Sequence, residues 1–204
     1  MSSEGAAAAA VAAPRRLGLG RVAFDMLMVI GSVLLALALD DWRDNREKRA
    51  LTQNVLIALV QEIKANATAI DEALAYQDAM AIAFRDSSQT FQKTGEFIFP
   101  DAARQRSAAV RFSRAAYDSA LVSQVLPRLQ VPTLLTLSAL YDEQDAYADL
   151  LRTYAAATIQ TDFNDGERYL RLRSNQYAEL AEAERRLQPM LRAASEAVSA
   201  EVGR

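Results

Sequence analysis

An apolar run near the N-terminus is the feature that most constrains this chain. Residues 22–39 contain a single charged side chain, that of Asp25, and the run ends in two aspartates followed by Trp42. Eighteen helical residues extend about 27 Å, close to the ~30 Å hydrocarbon core of a bilayer. The run is longer than the apolar core of a signal peptide and lacks a small-residue cleavage site. It therefore predicts an uncleaved transmembrane anchor over residues 21–42.

Five positions mark this anchor: Val22, Asp25, Gly31, Leu39 and Trp42. The Asp25 carboxylate has two interpretations. It binds a partner or relays protons within the membrane, or it lies near the headgroups and pairs with Arg21 one helical turn away; the pairing is favoured. Trp42 fits the interfacial belt, where amphipathic rings collect. Ser32 and Ala36 form a small-xxx-small pair that would let two anchors approach each other.

The charges on the two sides of the anchor bear on its orientation. Residues 1–20 form a small-residue tail that we expect to be disordered. Basic residues are nearly equal in number before and after the apolar run, so the positive-inside rule is almost balanced. The arginines before the run stand in a neutral segment, whereas those after it alternate with acids. This favours a cytoplasmic N-terminus and a periplasmic domain over residues 43–204, in a bacterial inner membrane.

The chain beyond the anchor begins with the pattern of one long helix. Neither Gly nor Pro occurs between Asp40 and Thr94, and apolar residues recur at steps of four with occasional threes. This is typical of an amphipathic helix over residues 43–94 that packs in a bundle or a coiled coil. Glu62 is assigned to its polar face. Gly and Pro then mark a loop whose residues 97–99 cover the bundle end, insert at the membrane surface or meet a partner.

Further breaks divide the rest of the chain into three helices, over residues 107–125, 132–163 and 166–202. Pro132 is tolerated in a first turn, and Asp165 is a candidate N-cap. The short connections favour antiparallel neighbours. The predicted fold class is therefore all-α: an N-terminal transmembrane helix, a long amphipathic helix and an antiparallel helical bundle.

Two missing residue types exclude much chemistry. Cysteine and histidine are both absent. The usual zinc and copper ligands and the Ser–His–Asp triad therefore cannot be built. No Gly-rich phosphate loop or cofactor fingerprint occurs, and the basic residues are interspersed with acidic ones. We expect no catalytic residues, no cofactor, no metal site and no nucleic-acid partner.

Two acidic groups have a superficial likeness to cation sites. Asp142, Asp145 and Asp149 share one face of the third predicted helix and could bind a hard cation or act as an acid–base pair. A solvated or salt-bridged face is favoured instead, opposite arginines such as Arg168, Arg171 and Arg173. Residues 162–167 fail the EF-hand spacing because Gly166 falls fifth rather than sixth. A helix–helix turn is expected there.

Two stretches carry a recognisable order of residues. Residues 31–49 join an apolar anchor through Asp-Asp-Trp to a charged helix. Residues 116–123 lead from an aromatic residue to Ser and are followed by the Leu-rich stretch 134–141, which closes with Tyr141 inside the third predicted helix. Together they resemble a family of short bacterial single-pass membrane proteins of uncharacterised function. That family often has Ser-Gly where this chain has Ser123-Gln124. The resemblance covers about residues 22–160, implies an anchor with a helical domain, and supplies no catalytic residues.

The sequence favours a membrane-anchored interaction or scaffold protein without catalytic activity. Its partners would be the lipid bilayer and either a second copy of the chain or another membrane protein. The alternative is a small-molecule or lipid-binding sensory or accessory module that acts through a separate membrane partner. Four tyrosines would then line its pocket: Tyr117, Tyr141, Tyr147 and Tyr154. An enzyme that uses carboxylates alone, as glycosidases do, has the least support.

Overall fold

A computed structural model describes residues 19–104, 110–161 and 165–203, with the side chains of residues 19–23 and 25 outside that description. The regular elements of this part are all helical, which confirms the all-α prediction. They are α1 (Leu19–Thr94), α2 (Ala115–Val122), α3 (Val131–Gln160) and α4 (Gly166–Val202), with short 3-10 turns at Asp101–Arg104 and Leu126–Arg128. Of the tail predicted over residues 1–20, residues 1–18 lie outside the described part of the chain, and α1 begins at Leu19.

The chain divides into two compact units, residues 1–49 and residues 50–204. In the first unit, the apolar side chains of α1 are exposed on consecutive positions: those of Met26–Ile30 are between 58% and 70% exposed. Taken over the described ranges, no helix combines the length and the apolar character that crossing a membrane requires. The transmembrane helix predicted over residues 21–42 is therefore not supported by the structure.

The second unit is a helical bundle in which α4 runs antiparallel to both of its long neighbours. Its contacts with α3 pair Thr133 with Glu201 and Glu143 with Arg186, so residue numbers rise on one helix as they fall on the other. The same holds for its contacts with α1. The core is built from the apolar stripes of all three helices, with Leu59, Ile63, Ile70, Leu137, Leu140 and Leu187 fully buried.

A smaller aromatic cluster closes one end of the bundle. Phe84 of α1 stacks on Tyr177 of α4, with ring centroids 5.5 Å apart. From the loop after α1, Phe99 meets Phe84 edge-on and Phe97 packs against Tyr169. Of the three roles weighed for residues 97–99, cover of the bundle end is the one that these ring contacts support, although Phe97 and Ile98 are both 45% exposed.

The helix predicted over residues 107–125 is wrong in extent. Residues 107–109 lie outside the described part, residues 110–114 are not helical, and α2 is only eight residues long. The cause is tertiary. The Asn66 side chain exchanges two hydrogen bonds with the Ser113 backbone, donating to its carbonyl at 2.8 Å and accepting from its N–H at 3.0 Å. These bonds hold the backbone before α2 against α1 in a non-helical conformation.

The end of α2 is a Schellman closure. The Val125 N–H donates to the Ala120 carbonyl and the Gln124 N–H to the Leu121 carbonyl, which is the pair of bonds that defines this motif. Gln124 has φ +56°, in the left-handed region that glycine adopts most easily. It stands where the resembling family often has glycine.

The boundaries of α3 and α4 follow local signals. Pro132 lies in the first turn of α3, where the missing N–H of proline has no partner to lose. The Asp165 carboxylate accepts a hydrogen bond from the Arg168 N–H at 3.1 Å and so caps α4 as the sequence indicated. These two helices form the walls of the site described next.

Candidate functional site

A cavity of about 680 Å³ lies within the second unit, beside the packed faces of α3 and α4. Its size falls inside the ~300–1,000 Å³ that small-molecule pockets occupy. Much of the wall is apolar: Val110, Phe112, Ala148, Leu151, Ala155 and Leu180. The segment from 110 to 114 supplies one side of this wall because it is not helical. The cavity therefore depends on the same deviation that shortens α2.

Two glutamines in the cavity wall are buried without full hydrogen bonding. The side chain of Gln77, on α1, is 1% exposed and its Oε1 has no hydrogen-bond partner. The side chain of Gln144, on α3, is 4% exposed and its Nε2 has none either. An unsatisfied buried polar group costs about 1–3 kcal/mol. Both residues line the cavity, although these two atoms are themselves buried from solvent.

A buried carboxylate lies behind this pair of glutamines. Glu184 of α4 is fully buried, and its Oε1 accepts from the Tyr147 hydroxyl at 2.7 Å and from Gln77 Nε2 at 3.4 Å. Its Oε2 has no partner. Desolvation raises the pKa of Glu184 against the opposing effect of those hydrogen bonds. Burial and the same contact raise the pKa of Tyr147, so its hydroxyl stays a proton donor at neutral pH.

Arg173 is one of the charged residues of the cavity wall. Its guanidinium donates to Gln176 Oε1 and to the Tyr177 hydroxyl, both at 2.5 Å, and it lies 4.8 Å from the centroid of the Tyr177 ring. Burial raises the pKa of Tyr177 to about 12 even though this guanidinium lowers it. The Arg173 Nε is buried without a hydrogen-bond partner. Among the described residues, no carboxylate lies within 4 Å of the Arg173 guanidinium.

The register of the helices separates these polar groups. Because α3 and α4 are antiparallel and Tyr147 contacts Glu184, residues before Glu184 lie level with residues after Tyr147. Arg173 lies about three turns before Glu184 on α4, and Gln144 lies about one turn before Tyr147 on α3. Along the bundle axis the two residues therefore lie on opposite sides of the contact between Tyr147 and Glu184. The Arg173 side chain reaches one turn towards Glu184, to Tyr177, and its guanidinium lies over the ring of Phe84, which is about 10 Å along α1 from Gln77. The polar groups of the cavity wall are therefore not gathered at one place.

The mouth of the cavity carries further charge. Arg114 donates to both carboxylate oxygens of Asp145 at 2.7 Å, and it also contacts Asp118. The bond to Asp145 is the main cause that raises the pKa of Arg114. The guanidinium also lies over the rings of Tyr117 and Tyr141. These exposed pairs are partly screened by solvent and contribute little to stability.

A second buried carboxylate, Glu62, lies outside the cavity and has a different environment. Glu62 accepts from the Tyr141 hydroxyl at 2.7 Å, from the Ala116 N–H at 2.8 Å, from Ser113 Oγ at 2.9 Å and from the Tyr117 N–H at 3.4 Å. It therefore caps the N-terminus of α2 from another helix. The assignment of Glu62 to the polar face of α1 is wrong, since only 8% of it is exposed.

Of the four tyrosines predicted to line a pocket, one lines the cavity. Tyr147 lines the cavity. Tyr117 and Tyr141 stack on each other instead, with ring centroids 3.9 Å apart. Tyr154 contacts Glu179, and burial together with that hydrogen bond raises its pKa to about 12.

The acidic face of α3 forms salt bridges, as the sequence favoured. Its partners are not the expected Arg168, Arg171 and Arg173. Glu143 pairs with Arg186 at 3.1 Å, and Asp149 pairs with Arg152 on its own helix at 2.7 Å. Asp142 is exposed. Within the described ranges, no three acidic side chains come close enough together to hold a metal ion. The segment tested as a calcium loop lies outside those ranges at residues 162–164.

The anchor positions lie in the first unit. The side chains of Val22 and Asp25 are outside the described residues. A Cβ added at Gly31 would meet nothing within 4 Å, and the side chains of Leu39 and Trp42 are exposed. The Arg46 guanidinium lies 5.7 Å from the centroid of the Trp42 ring. Ser32 Oγ, from the proposed small-residue pair, donates to a carbonyl on its own helix at 2.8 Å.

Gln77, Gln144 and Glu184 escaped the sequence reasoning although each left a signal, and Arg173 entered it only as a possible ion-pair partner of the acidic face. Gln77 stands at a core position of the α1 stripe, Gln144 at one of α3 and Glu184 at one of α4. A polar residue inside an apolar stripe indicates a buried polar group. Arg173 left no such signal because arginine is common on exposed helix faces.

Set against protein-family models, curated proteins and solved structures, the chain matches none of them. The resemblance to single-pass membrane proteins therefore stays a prediction.

Proposed function

We propose that the chain is a membrane-anchored helical interaction protein without catalytic activity, whose bundle binds its partners outside the bilayer. The supporting observation is the exposed apolar surface of α1. Residues 26–30 present five large apolar side chains at consecutive positions, and consecutive positions point around the whole helix. A helix that is apolar on every side requires an apolar environment all round, and a bilayer supplies it.

The sequence around this surface supports the same proposal. The apolar run of residues 22–39 contains one charge, and Trp42 follows it with Arg46 over its ring. An aromatic ring beside a basic residue suits the boundary between lipid and water. Large exposed apolar patches on soluble monomers are otherwise rare.

Alkaline carbonate extraction tests the anchor. Membranes that contain the full chain are washed, and we expect the protein to stay in the pellet. The double substitution Ile30→Glu with Leu34→Glu should release most of it, because two carboxylates in the hydrocarbon core are costly. The matched control is Leu135→Glu with Ile159→Glu, which changes two exposed apolar residues of the bundle. Release of the unmodified chain would contradict the proposal.

Two further measurements address orientation and partners. A C-terminal alkaline phosphatase fusion should be active, because the proposed periplasmic location of the bundle lets that enzyme fold. Crosslinking in intact membranes should capture a second copy or one dominant membrane protein. A chain that stays monomeric and partner-free after crosslinking would rule out the scaffold role.

The cavity favours a second candidate function, the binding of a small molecule between the helices. The specific observation is a cavity of about 680 Å³ with a mostly apolar wall that also contains the charged Arg173. Native mass spectrometry of the purified full chain should detect a bound small molecule. Ala148→Trp should remove it by filling the cavity, whereas Ala146→Trp, on the exposed side of α3, should not.

A further inference from the structure

We infer that the cavity beside α3 and α4 binds an organic anion with an apolar body. The inference rests on the ligand-binding role proposed for this cavity and adds the charge class of the ligand. Its basis is a mostly apolar wall in which two arginines, Arg111 and Arg173, have no ion-pair partner within the described part of the chain.

The charged side chains of the wall are predominantly positive. Of the described residues, four arginines and a single acid, Asp145, line the cavity. Asp145 is neutralised by Arg114 at 2.7 Å, and Arg152 pairs at 2.7 Å with Asp149, which lies outside the wall. The carboxylate of Glu184 is buried behind the wall without lining it, and its burial favours the neutral form. The other two arginines are therefore left without a counterion in the described ranges.

Arg173 is better placed than Arg111 to bond an anion. It is half-buried, which strengthens its attraction for an anion relative to a fully exposed arginine. Its Nε is shielded from solvent, so a ligand can bond only its two terminal nitrogens. Each of these makes one hydrogen bond, to Gln176 or to Tyr177, and each carries a second N–H. The guanidinium therefore keeps donors for an anionic oxygen.

Arg111 adds positive charge from another side of the cavity. It belongs to the non-helical segment 110–114, and because it is exposed, solvent and salt screen its charge. The chain as a whole carries a formal charge of −3, so a general electrostatic attraction would favour a cation. A preference for anions would therefore be a local property of this wall.

The rest of the wall favours a ligand with an apolar body. Val110, Leu151 and Leu180 contribute aliphatic side chains. Phe112 packs edge-on against Tyr147, with ring centroids 5.3 Å apart, and both rings line the cavity. A small inorganic anion would leave this apolar surface uncovered and most of the volume of about 680 Å³ unfilled, whereas an organic anion gains from burying its own apolar surface there.

The decisive experiment is equilibrium dialysis of the full chain in phosphatidylcholine nanodiscs, with empty nanodiscs subtracted. Three ligands share one ring system: 1-naphthoate, 1-naphthalenemethanol and 1-naphthylmethylammonium, which are anionic, neutral and cationic at neutral pH. We expect 1-naphthoate to bind saturably and about tenfold more tightly than the alcohol, because its bond to an arginine is charge-assisted on both sides. The cation should bind more weakly than the alcohol, because the unpaired arginines repel it.

Substitutions then assign the charge preference to its residues. Arg173→Gln should weaken 1-naphthoate about tenfold and leave the alcohol unchanged. Arg111→Gln should weaken the acid only about threefold, because the charge it removes is screened. The matched control is Arg171→Gln, an exposed arginine of α4 outside this cavity, which should change neither affinity. Near-ultraviolet circular dichroism establishes that each variant is folded.

Equal affinity for the acid and the alcohol overturns the inference, and so does unchanged acid binding in a folded Arg173→Gln protein or the absence of saturable acid binding. Should Arg173→Gln fail to fold, the response of Arg111→Gln decides. Ala148→Trp tests the ligand-binding role separately: it should remove saturable binding of acid and alcohol alike, whereas Ala146→Trp should not. Equal affinities that are both lost in Ala148→Trp would overturn the anion and keep the ligand-binding role.

Discussion

Glu62 and Glu184 are two buried carboxylates of one bundle, and each accepts a hydrogen bond from a tyrosine hydroxyl at 2.7 Å. Around Glu62 there are three further donors, two of them backbone N–H groups of α2. Around Glu184 there is one further donor at 3.4 Å, and one carboxylate oxygen has no partner. The residues that contact Glu184 also line the cavity.

The difference separates a structural use of a buried charge from a functional one. A buried carboxylate with its acceptor sites filled fixes the groups that donate to it, as Glu62 fixes the start of α2. A buried carboxylate that is left partly unsatisfied reduces stability, and such groups concentrate where a protein binds or reacts. Three of the four predictions below test this contrast, and the fourth concerns the helix that Glu62 caps. Each is measured by urea denaturation. The signal is the near-ultraviolet circular dichroism of the seven tyrosines, all of which lie in the bundle.

The largest effect should come from Glu62→Ala. Removing this carboxylate leaves backbone N–H groups of Ala116 and Tyr117 and the Tyr141 hydroxyl without their acceptor, so we expect a loss of about 3–4 kcal/mol in the free energy of unfolding. Glu72→Ala, on the exposed side of the same helix, should change it by no more than about 0.5 kcal/mol. Similar losses in both variants would remove the structural role of Glu62.

The two tyrosines should differ although they make bonds of equal length. Tyr147→Phe leaves Glu184 with a single long hydrogen bond, and we expect it to cost about 2–3 kcal/mol. Tyr141→Phe leaves Glu62 with three donors and should cost about 1 kcal/mol. Equal costs would mean that the number of remaining donors does not matter.

Glu184→Gln should stabilise the bundle at high pH. Because burial raises the folded-state pKa of Glu184 above its ordinary 4.5, its protonated form favours folding below pH 4.5, and that contribution is lost as the pH rises through the folded pKa. The neutral glutamine avoids the loss, so we expect a gain of about 1–2 kcal/mol at pH 8 and little change at pH 4. Glu196→Gln, an exposed change on α4, provides the control. A gain of the same size at both pH values would refute burial as its cause.

The smallest effect concerns the far end of the helix that Glu62 caps. Gln124 has φ +56°, and glycine adopts this conformation without the steric penalty of a Cβ. Gln124→Gly should therefore raise the free energy of unfolding by about 0.5–1 kcal/mol despite the greater freedom of glycine in the unfolded chain. Gln124→Ala keeps the Cβ and should give no gain. A loss of stability in the glycine variant would show that the Gln124 side chain itself contributes.

The parts of the fold that could be predicted from the sequence are those set by local signals. Pro132 and Asp165 act within one turn of the helices they begin, and α3 and α4 start within a residue of the positions expected from them. The start of α2 could not be predicted in this way. Its position depends on Asn66 and Glu62, which lie about 50 residues earlier in the chain and act only after α1 and the segment at 110–114 have packed.

The sequence indicates the buried polar groups around the cavity but not where they come together. Gln77, Gln144 and Glu184 interrupt apolar stripes, and that pattern indicates buried polar groups without indicating which of them meet. Their meeting depends on the register of three helices. Arg173 could not be singled out among the arginines of α4, because its lack of a counterion is a property of the surrounding fold.

The capping of α2 by Glu62 has a consequence for the order in which the protein folds. A helix of eight residues is too short to persist alone in water, and the Arg114 side chain at its N-cap makes no capping bond. Its nucleation must therefore wait until the carboxylate of a distant helix has been brought to its first turn. Destabilising changes inside α2 should consequently accelerate unfolding while leaving the refolding rate almost constant.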